Sequence, residues 1–142
     1  MEEFSKIVRK KTRKINLGGV PIGGDAPITV QSMTNTNTSD VQATVAQIRE
    51  LEEAGCEIIR VAVPDQEAVD ALPEIIKKIN LPLIADIHFN HQLAIDAMKA
   101  GVAAIRINPG NISRDKIREV IQVAKEREVV IRIGVNAGSL QK

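Results

Sequence analysis

Arginine stands within or at the end of several short apolar runs in this chain. Arg60, Arg106 and Arg132 occupy such positions, and Asp86 is the one carboxylate in a comparable place. An arginine inside an apolar strand loses hydration, so it needs a carboxylate or a ligand anion as its partner. Three guanidinium groups against one carboxylate leave an excess of about two positive charges, which predicts a site for a substrate with two phosphoryl groups. The alternative is that acidic residues from elsewhere pair with these arginines.

The spacing inside the runs places the polar groups on a common face. Alternate residues of a strand point the same way, so Arg106 shares a face with Asn108, and Asp86 shares one with His88. His88 is either a proton donor or a hydrogen-bonded structural residue. Candidate ligand-binding groups on this pattern are Arg60, Arg106, Asn108, Asn111, Arg132 and Asn136.

A tight turn is predicted at residues 108–111, where Asn-Pro-Gly-Asn follows an apolar run. Pro109 fixes φ, and we expect Gly110 to take up a strained backbone conformation. Such a turn presents backbone N–H groups beside the start of the next helix, which suits a phosphate. The stronger phosphate-binding patterns, Gly-x-Gly-x-x-Gly and the P-loop lysine, do not follow any predicted strand.

Five runs rich in Val and Ile alternate with amphipathic stretches from residue 27 onward. Alternation of strands with helices predicts a parallel sheet whose crossovers are right-handed. In a β/α barrel the carboxyl ends of such strands meet at one rim, so the polar groups should converge there. We expect Ser39 to cap the first helix, Gly55 to end it and Ser113 to begin the fourth. The predicted strands cover residues 27–33, 57–63, 82–87, 103–107 and 129–135.

The predicted fold class is α/β, a partial (β/α)8 TIM-type barrel of about five parallel βα units preceded by an amino-terminal β-hairpin. A complete barrel needs about 250 residues, and this chain has 142. We therefore expect residues 27–142 to be an incomplete TIM-barrel substrate-binding domain, without a carboxyl-terminal domain. Residues 1–26 are expected to form an extension and a hairpin that turns at Gly18-Gly19 and plugs the lower end of the barrel.

Composition bounds the compartment and the partners. The chain is 44% hydrophobic and 26% charged, which fits an ordinary globular domain. We expect no membrane partner and a cytoplasmic location, because no apolar stretch reaches about 18 residues and no signal pattern begins the chain. Cys56 is the single cysteine, so it cannot form a disulfide within the chain and is expected to be buried.

Nucleic acid is not expected as a partner, although basic residues cluster near the start. Six lysines and arginines lie within residues 6–14. They are better interpreted as a solvated hairpin face, because Phe4 and Phe89 are the only aromatic side chains of the Phe, Trp and Tyr types available for base stacking.

Four motifs recur in a fixed order along the predicted strands: VQSMTNT at 30–36, ADIHF at 85–89, RINPGN at 106–111 and RIGVNAGSL at 132–140. As a set they closely resemble the amino-terminal barrel of the 4-hydroxy-3-methylbut-2-enyl diphosphate synthase family. The resemblance implies an iron-sulfur oxidoreductase of the non-mevalonate isoprenoid pathway. Such enzymes open the ring of 2-C-methyl-D-erythritol 2,4-cyclodiphosphate by reductive dehydration, with ferredoxin or flavodoxin as electron donor.

The resemblance also implies roles for individual residues. Asp86 and His88 would be the catalytic pair facing the ring, and which of them donates a proton stays open. The diphosphate would be clamped by Arg60, Arg106 and Arg132, with hydrogen bonds completed by Asn108, Asn111 and Asn136.

The resemblance further implies a [4Fe-4S] cluster held by three cysteines and a glutamate in a carboxyl-terminal domain. In the family's homodimer, this domain closes over the barrel of the partner. Those ligands are absent from the present chain, and Cys56 lies in the wrong place to replace one. We therefore predict that this chain alone neither binds a cluster nor turns over substrate.

Two other classes of protein stay open. One is a pterin-type barrel enzyme, whose substrates also carry a diphosphate, although it lacks the motif-by-motif match. The other is a non-catalytic half-barrel that self-associates to cover its sheet edges.

Overall fold

A computed structural model describes residues 8–140 of the chain, so Phe4 and Lys6 lie outside the described residues. Seven strands and four α-helices follow one another, with short 3-10 turns after the last two sheet strands. The strands are β1 (Ile15–Leu17), β2 (Val20–Ile22), β3 (Gln31–Met33), β4 (Ile58–Ala62), β5 (Leu83–Asp86), β6 (Ala104–Ile107) and β7 (Val130–Ile133). The helices are α1 (Val41–Glu53), α2 (Gln66–Lys78), α3 (His91–Ala100) and α4 (Arg114–Glu126). The 3-10 turns are Pro109–Asn111 and Ala137–Ser139.

The five strands from β3 to β7 form one parallel sheet in the order in which they occur along the chain. Each strand pairs with its predecessor, and a helix crosses from one to the next, which is the stepwise pattern of a β/α barrel. The predicted fold class is therefore confirmed. Strand β3, the first of this sheet, covers residues 31–33 and is shorter than the predicted 27–33. The Val30 N–H donates to the Glu57 carboxylate at 2.7 Å instead of joining the ladder.

The two faces of the sheet are covered differently. The outer face packs against the helices through fully buried residues such as Ile59, Ala85 and Ile105. On the inner face, the lower layer is apolar and contains Ile58 and Ile84. One step toward the carboxyl ends of the strands, this face becomes polar. The outer core therefore holds the strands in register while the inner face presents side chains for chemistry.

Side chains of the connecting loops cap three of the four helices. Asp40 caps α1 by accepting from the Ala43 N–H at 3.1 Å, so the predicted cap at Ser39 is wrong. The Ser39 hydroxyl instead donates to the Asn37 side chain at 2.9 Å. Gly55 follows α1 at φ +102°, as expected of a glycine that ends a helix. Asp65 and Asn90 cap α2 and α3, while Ser113 begins α4 without a side-chain cap.

The amino-terminal hairpin lies at the lower end of the inner face. Its two strands are antiparallel and cover three residues each. Leu17 is buried against the apolar lower layer. Gly18 has φ +56° and lies so close to Pro82 that a Cβ there would stand 2.6 Å from the proline Cβ. Because Pro82 directly precedes β5, the hairpin lies against the lower end of the sheet, while its role as a plug stays a prediction.

An exposed ion pair ties the two ends of the hairpin together. Lys14 lies 3.0 Å from Asp25, just before and just after the hairpin strands. The hydrogen bond from Lys14 lowers the pKa of the Asp25 carboxyl. Both groups are well exposed, so this pair contributes little to stability.

Candidate anion-binding site

Arginines, one carboxylate and a histidine gather on the inner face at the carboxyl ends of the strands. We call this set the rim cluster: Arg60 on β4, Asp86 and His88 at the end of β5, Arg106 on β6 and Arg132 on β7. The strand register explains the gathering. Asp86 is the direct partner of Arg106, and Arg106 is the direct partner of Arg132. Direct partners in a sheet point to the same face, so the sequence alternation delivers all three to one side.

Asp86 is shared by two arginines. Its Oδ2 lies 3.2 Å from Arg60 Nη2, and its Oδ1 lies 3.4 Å from Arg106 Nη1. The Asp86 side chain is only 3% exposed, whereas the side chains of Arg60 and Arg106 keep 22% and 15% of their surface. One buried carboxylate therefore orients two guanidinium groups, and its single charge cannot neutralise both.

Arg60 keeps one hydrogen-bond donor without a partner. Its Nε is buried and makes no hydrogen bond to any of the described residues. An unpaired buried donor costs about 1–3 kcal/mol, so the position of the Arg60 guanidinium is maintained against a local cost. The Thr34 hydroxyl, just after β3, is buried in the same unpaired condition. Both atoms belong to residues at the carboxyl ends of neighbouring strands.

Arg132 has an uncharged partner. Its Nη1 donates to Gln31 Oε1 at 2.9 Å, across 101 residues of sequence. Gln31 lies on β3 and Arg132 on β7, which are the two edge strands of the sheet. Side chains from opposite edges can meet only if the sheet curves around its inner face, as it does in a barrel. Arg132 is exposed and its charge is not balanced by this contact.

The guanidinium of Arg106 lies directly over the backbone of Gly134. A Cβ built on Gly134 would stand 2.8 Å from Arg106 Cζ, closer than real Cβ contacts allow. Only glycine leaves room for Arg106 in this position. Gly134 follows β7 and lies on the same face as Arg132, so strand spacing alone places a small residue where the arginine must pass.

His88 and Asn111 lie close to each other beside Asp86. The His88 Nε2 is 3.7 Å from Asp86 Oδ2, and its side chain is 49% exposed. Asn111 donates from its carboxamide to the His88 carbonyl at 3.3 Å. The histidine therefore stands between the buried carboxylate and the solvent-facing side of the rim, where a group can exchange protons.

Asn108 and Asn136 differ in what their side chains are free to do. Asn108 is 1% exposed, donates to Ser139 Oγ at 2.9 Å and accepts from the Gly110 N–H at 3.0 Å. Asn136 is exposed at the end of β7, and its backbone N–H donates to Ser139 Oγ at 3.1 Å. The structure thus uses Asn108 to join the two 3-10 turns, while its predicted role toward a substrate stays a prediction.

Gly110 does not adopt the strained conformation that the sequence suggested. It is absent from the glycines with positive φ among the described residues. Glycine is needed there for another reason, because a Cβ would collide with the Ser139 carbonyl oxygen. The N–H of Gly110 is also taken by Asn108. The expected phosphate cradle therefore offers fewer free backbone donors than the sequence indicated.

The described residues do not form a metal site. No group of three His, Cys, Asp or Glu side chains among residues 8–140 could hold a metal ion. Cys56 is buried, as predicted, and its thiol donates to the Ile58 carbonyl at 3.0 Å. Among residues 8–140, one buried thiol without a group of three ligating side chains does not fit a [4Fe-4S] cluster. No helix in the described part of the chain is long and apolar enough to cross a membrane.

A curved parallel sheet whose strands are joined by helices, with arginines at its rim, defines the class of this chain as a β/α barrel domain. The family model described as the GcpE TIM-barrel domain matches residues 12–142, and the chain belongs to that family. This result confirms the family that the four motifs indicated.

Curated relatives carry the name 4-hydroxy-3-methylbut-2-en-1-yl diphosphate synthase (flavodoxin). The protein from Pseudomonas aeruginosa is 58% identical over 139 residues, which are 97% of this chain and 38% of the relative. The protein from Geobacillus thermodenitrificans is 61% identical over 141 residues, which are 98% of this chain and 38% of the relative. The chain therefore spans a little over a third of the length of these relatives.

Solved structures of dihydropteroate synthases share the fold. The enzyme from Stenotrophomonas maltophilia superimposes with a TM-score of 0.64 at 18% identity, covering 92% of this chain and 51% of that one. The enzyme from Xanthomonas albilineans gives a TM-score of 0.62 at 18% identity, covering 84% of this chain and 49% of that one. At this identity the likeness supports the barrel and nothing about the ligand.

Three residues at the site were not identified from the sequence as site residues: Gln31, Gly134 and Ser139. Strand alternation places Gly134 on the face of Arg132, and Gln31 belongs to the first of the polar motifs, but neither signal shows which side chain each residue contacts. No sequence signal links Ser139 with Asn108, since their contact depends on how two separate turns meet.

Proposed function

We propose that this chain is the substrate-binding barrel of a 4-hydroxy-3-methylbut-2-en-1-yl diphosphate synthase. In this proposal it binds 2-C-methyl-D-erythritol 2,4-cyclodiphosphate for reductive ring opening to 4-hydroxy-3-methylbut-2-enyl diphosphate. The observation that carries it is the rim cluster, in which three arginines gather near one buried carboxylate: Arg60 and Arg106 pair with Asp86, and Gln31 holds Arg132. The remaining charge of about two complements a cyclic diphosphate.

The proposed contacts follow from the geometry of the rim cluster. Arg132 is exposed and keeps N–H groups that can donate to phosphoryl oxygens, while Arg60 adds its positive charge beside Asp86. Arg106 lies on β6, between the strands of Arg60 and Arg132, and adds a planar pair of N–H groups. Asn111 and Asn136 stand at the ends of the adjoining strands and complete the hydrogen bonds, with Asn108 either joining them or holding their turns in place.

Proton delivery is the chemistry that we assign to Asp86 and His88. A departing hydroxyl needs a proton, and a histidine close to a buried carboxylate can hold and release one. His88 is half exposed, so it can be recharged from solvent. Asp86 is buried and occupied by two arginines, which favours an orienting role for it and a proton-donor role for His88.

The reducing electrons belong to groups outside the described residues. We propose that a [4Fe-4S] cluster passes the electrons to the substrate and that flavodoxin or ferredoxin reduces the cluster. We also propose that the full-length protein is a homodimer in the cytoplasm. The names of the relatives support flavodoxin as the donor. We expect no cluster absorption after the chain alone is incubated with iron and sulfide, because it has a single cysteine. The characteristic [4Fe-4S] spectrum would contradict this expectation.

Calorimetric titration with the cyclodiphosphate tests the proposed function. We expect the chain to bind it, and we expect Arg106→Ala and Arg132→Ala each to weaken binding by about tenfold or more, the value of a charge-assisted hydrogen bond. Arg49→Ala, on the outer helix α1, is the matched control and should leave binding unchanged. Preference for a pterin, or no binding by a folded chain, would overturn the proposal.

A further inference from the structure

We propose that Gln31 is a positioning residue that holds Arg132 across the barrel interior while leaving the arginine's positive charge available to the substrate. This inference rests on the proposed function, because it concerns the same site. Gln31 reaches Arg132 from the opposite edge of the sheet, at 2.9 Å. The bond restricts the long arginine side chain before any ligand arrives, which reduces the ordering cost of binding.

The uncharged character of the partner is what separates Arg132 from the other two arginines. Arg60 and Arg106 both pair with Asp86. Among the described residues, no acidic side chain lies within ion-pair distance of Arg132, and its hydrogen-bond partner is a carboxamide. Arg132 is therefore the rim arginine that has no carboxylate partner among the described residues. A glutamate at position 31 would form a third ion pair and neutralise the charge of Arg132.

The residue type at position 31 thus sets the charge that a diphosphate encounters. A carboxamide positions the guanidinium without competing for it, because a neutral acceptor binds less strongly than a phosphoryl oxygen. An incoming anion can displace or share the Gln31 contact at low cost. A carboxylate at 31 would have to be displaced against a full ion pair.

The test compares Gln31→Glu and Gln31→Met with the parent chain, using inorganic pyrophosphate and the cyclodiphosphate as probes in calorimetric titrations. Gln31→Glu should weaken binding of both by about tenfold or more, since one arginine charge is neutralised. It should also make binding less sensitive to salt, because one positive charge fewer attracts the anion. Gln31→Met removes the acceptor and no charge, so its salt dependence should match that of the parent.

Gln42→Glu is the matched control, because it makes the same chemical change on the outer helix α1. It should leave affinity and salt dependence close to those of the parent. If Gln31→Glu binds the cyclodiphosphate as tightly as Gln42→Glu, with an unchanged salt dependence, the inference is overturned while the proposed function stands.

A measurement without ligand tests the contact itself. In nitrogen-15 spectra of the arginine side chains, the guanidinium of Arg132 should rotate slowly in the parent and freely in Gln31→Met. Equal rotation in both would overturn the inference. If the folded parent binds neither probe, the proposed function fails, and this spectrum alone decides whether Gln31 holds Arg132.

Discussion

A single buried carboxylate organises the charged residues at the rim. Asp86 forms ion pairs with both Arg60 and Arg106 and accepts a hydrogen bond from Arg106. The strand register brings these arginines, on β4 and β6, to the two sides of Asp86 on β5. Two guanidinium groups around one carboxylate are held in place but not neutralised. The same residue therefore stabilises the fold locally and prepares the site for an anion.

Replacing Asp86 with Asn should destabilise the chain and make its stability depend on anions. Breaking a buried ion pair costs about 3–5 kcal/mol, and the partial exposure of both arginines lowers the expected loss to about 2 kcal/mol. Urea unfolding should show this loss, and pyrophosphate should restore more stability to Asp86→Asn than to the parent.

The control for this prediction is Asp115→Asn, which removes an exposed carboxylate 3.9 Å from Arg118. An exposed pair contributes about 0–1 kcal/mol, so the loss should be small. A loss at Asp86 no larger than that at Asp115 would show that the shared carboxylate does not stabilise the rim.

Gly134→Ala should displace Arg106 without removing any charged group. The new methyl would occupy the space of the guanidinium, so we expect affinity for pyrophosphate to fall about tenfold while the chain stays folded. Gly138→Ala is the control, because a Cβ there meets nothing within 4 Å. Equal affinity of the two variants, measured by titration, would contradict the packing of Arg106 over Gly134.

At the scale of elements, the loops after β6 and β7 act as one unit. Ser139 receives a hydrogen bond from Asn108, and its carbonyl oxygen fills the space beside Gly110. The two 3-10 turns are therefore joined by a buried side chain. The position of Asn111 and Asn136 at the rim depends on this joint.

Ser139→Ala should loosen both turns. It leaves the buried Asn108 carboxamide without its acceptor, which costs about 1–3 kcal/mol. Ser113→Ala makes the same change at a helix start where the hydroxyl makes no capping bond, so its effect on urea unfolding should be smaller. A larger loss at Ser113 than at Ser139 would refute the joint between the turns.

The hairpin offers a paired test of its role as the plug of the barrel. Gly18 and Gly19 both have positive φ, but only Gly18 is close to the sheet, at Pro82 and Ala103. Alanine at Gly19 should cost about 1 kcal/mol from backbone strain alone. Alanine at Gly18 should cost about 1–3 kcal/mol more because it also collides with the sheet. Equal losses in thermal unfolding would show that the hairpin does not press on the strands.

The order and type of the elements could be predicted because each rests on local patterns. Runs of Val and Ile gave the strands, and helical spacing gave the helices. The cap of α1 was misplaced by one residue, because Ser39 and Asp40 are both good caps and only the surrounding turn selects between them. The predicted length of β3 is too long, because the Val30 N–H donates to the side chain of Glu57, which is distant in sequence.

For the whole molecule, strand alternation predicted that the arginines would share a face but not how they would be paired. That pairing depends on the curvature of the sheet, which brings Gln31 and Arg132 together from its two edges. It also depends on Gly134, which makes room for Arg106. Curvature and close packing arise only when all five strands assemble, so no local pattern contains them.

The most direct test of the central claim is the nitrogen-15 spectrum of the arginine side chains during titration with 2-C-methyl-D-erythritol 2,4-cyclodiphosphate. We predict that the guanidinium signals of Arg60, Arg106 and Arg132 shift together and saturate together. The signals of Arg49 and Arg118, on helices α1 and α4, should stay in place. Shifts confined to the helix arginines, or none in the three rim arginines of the folded chain, would contradict the claim.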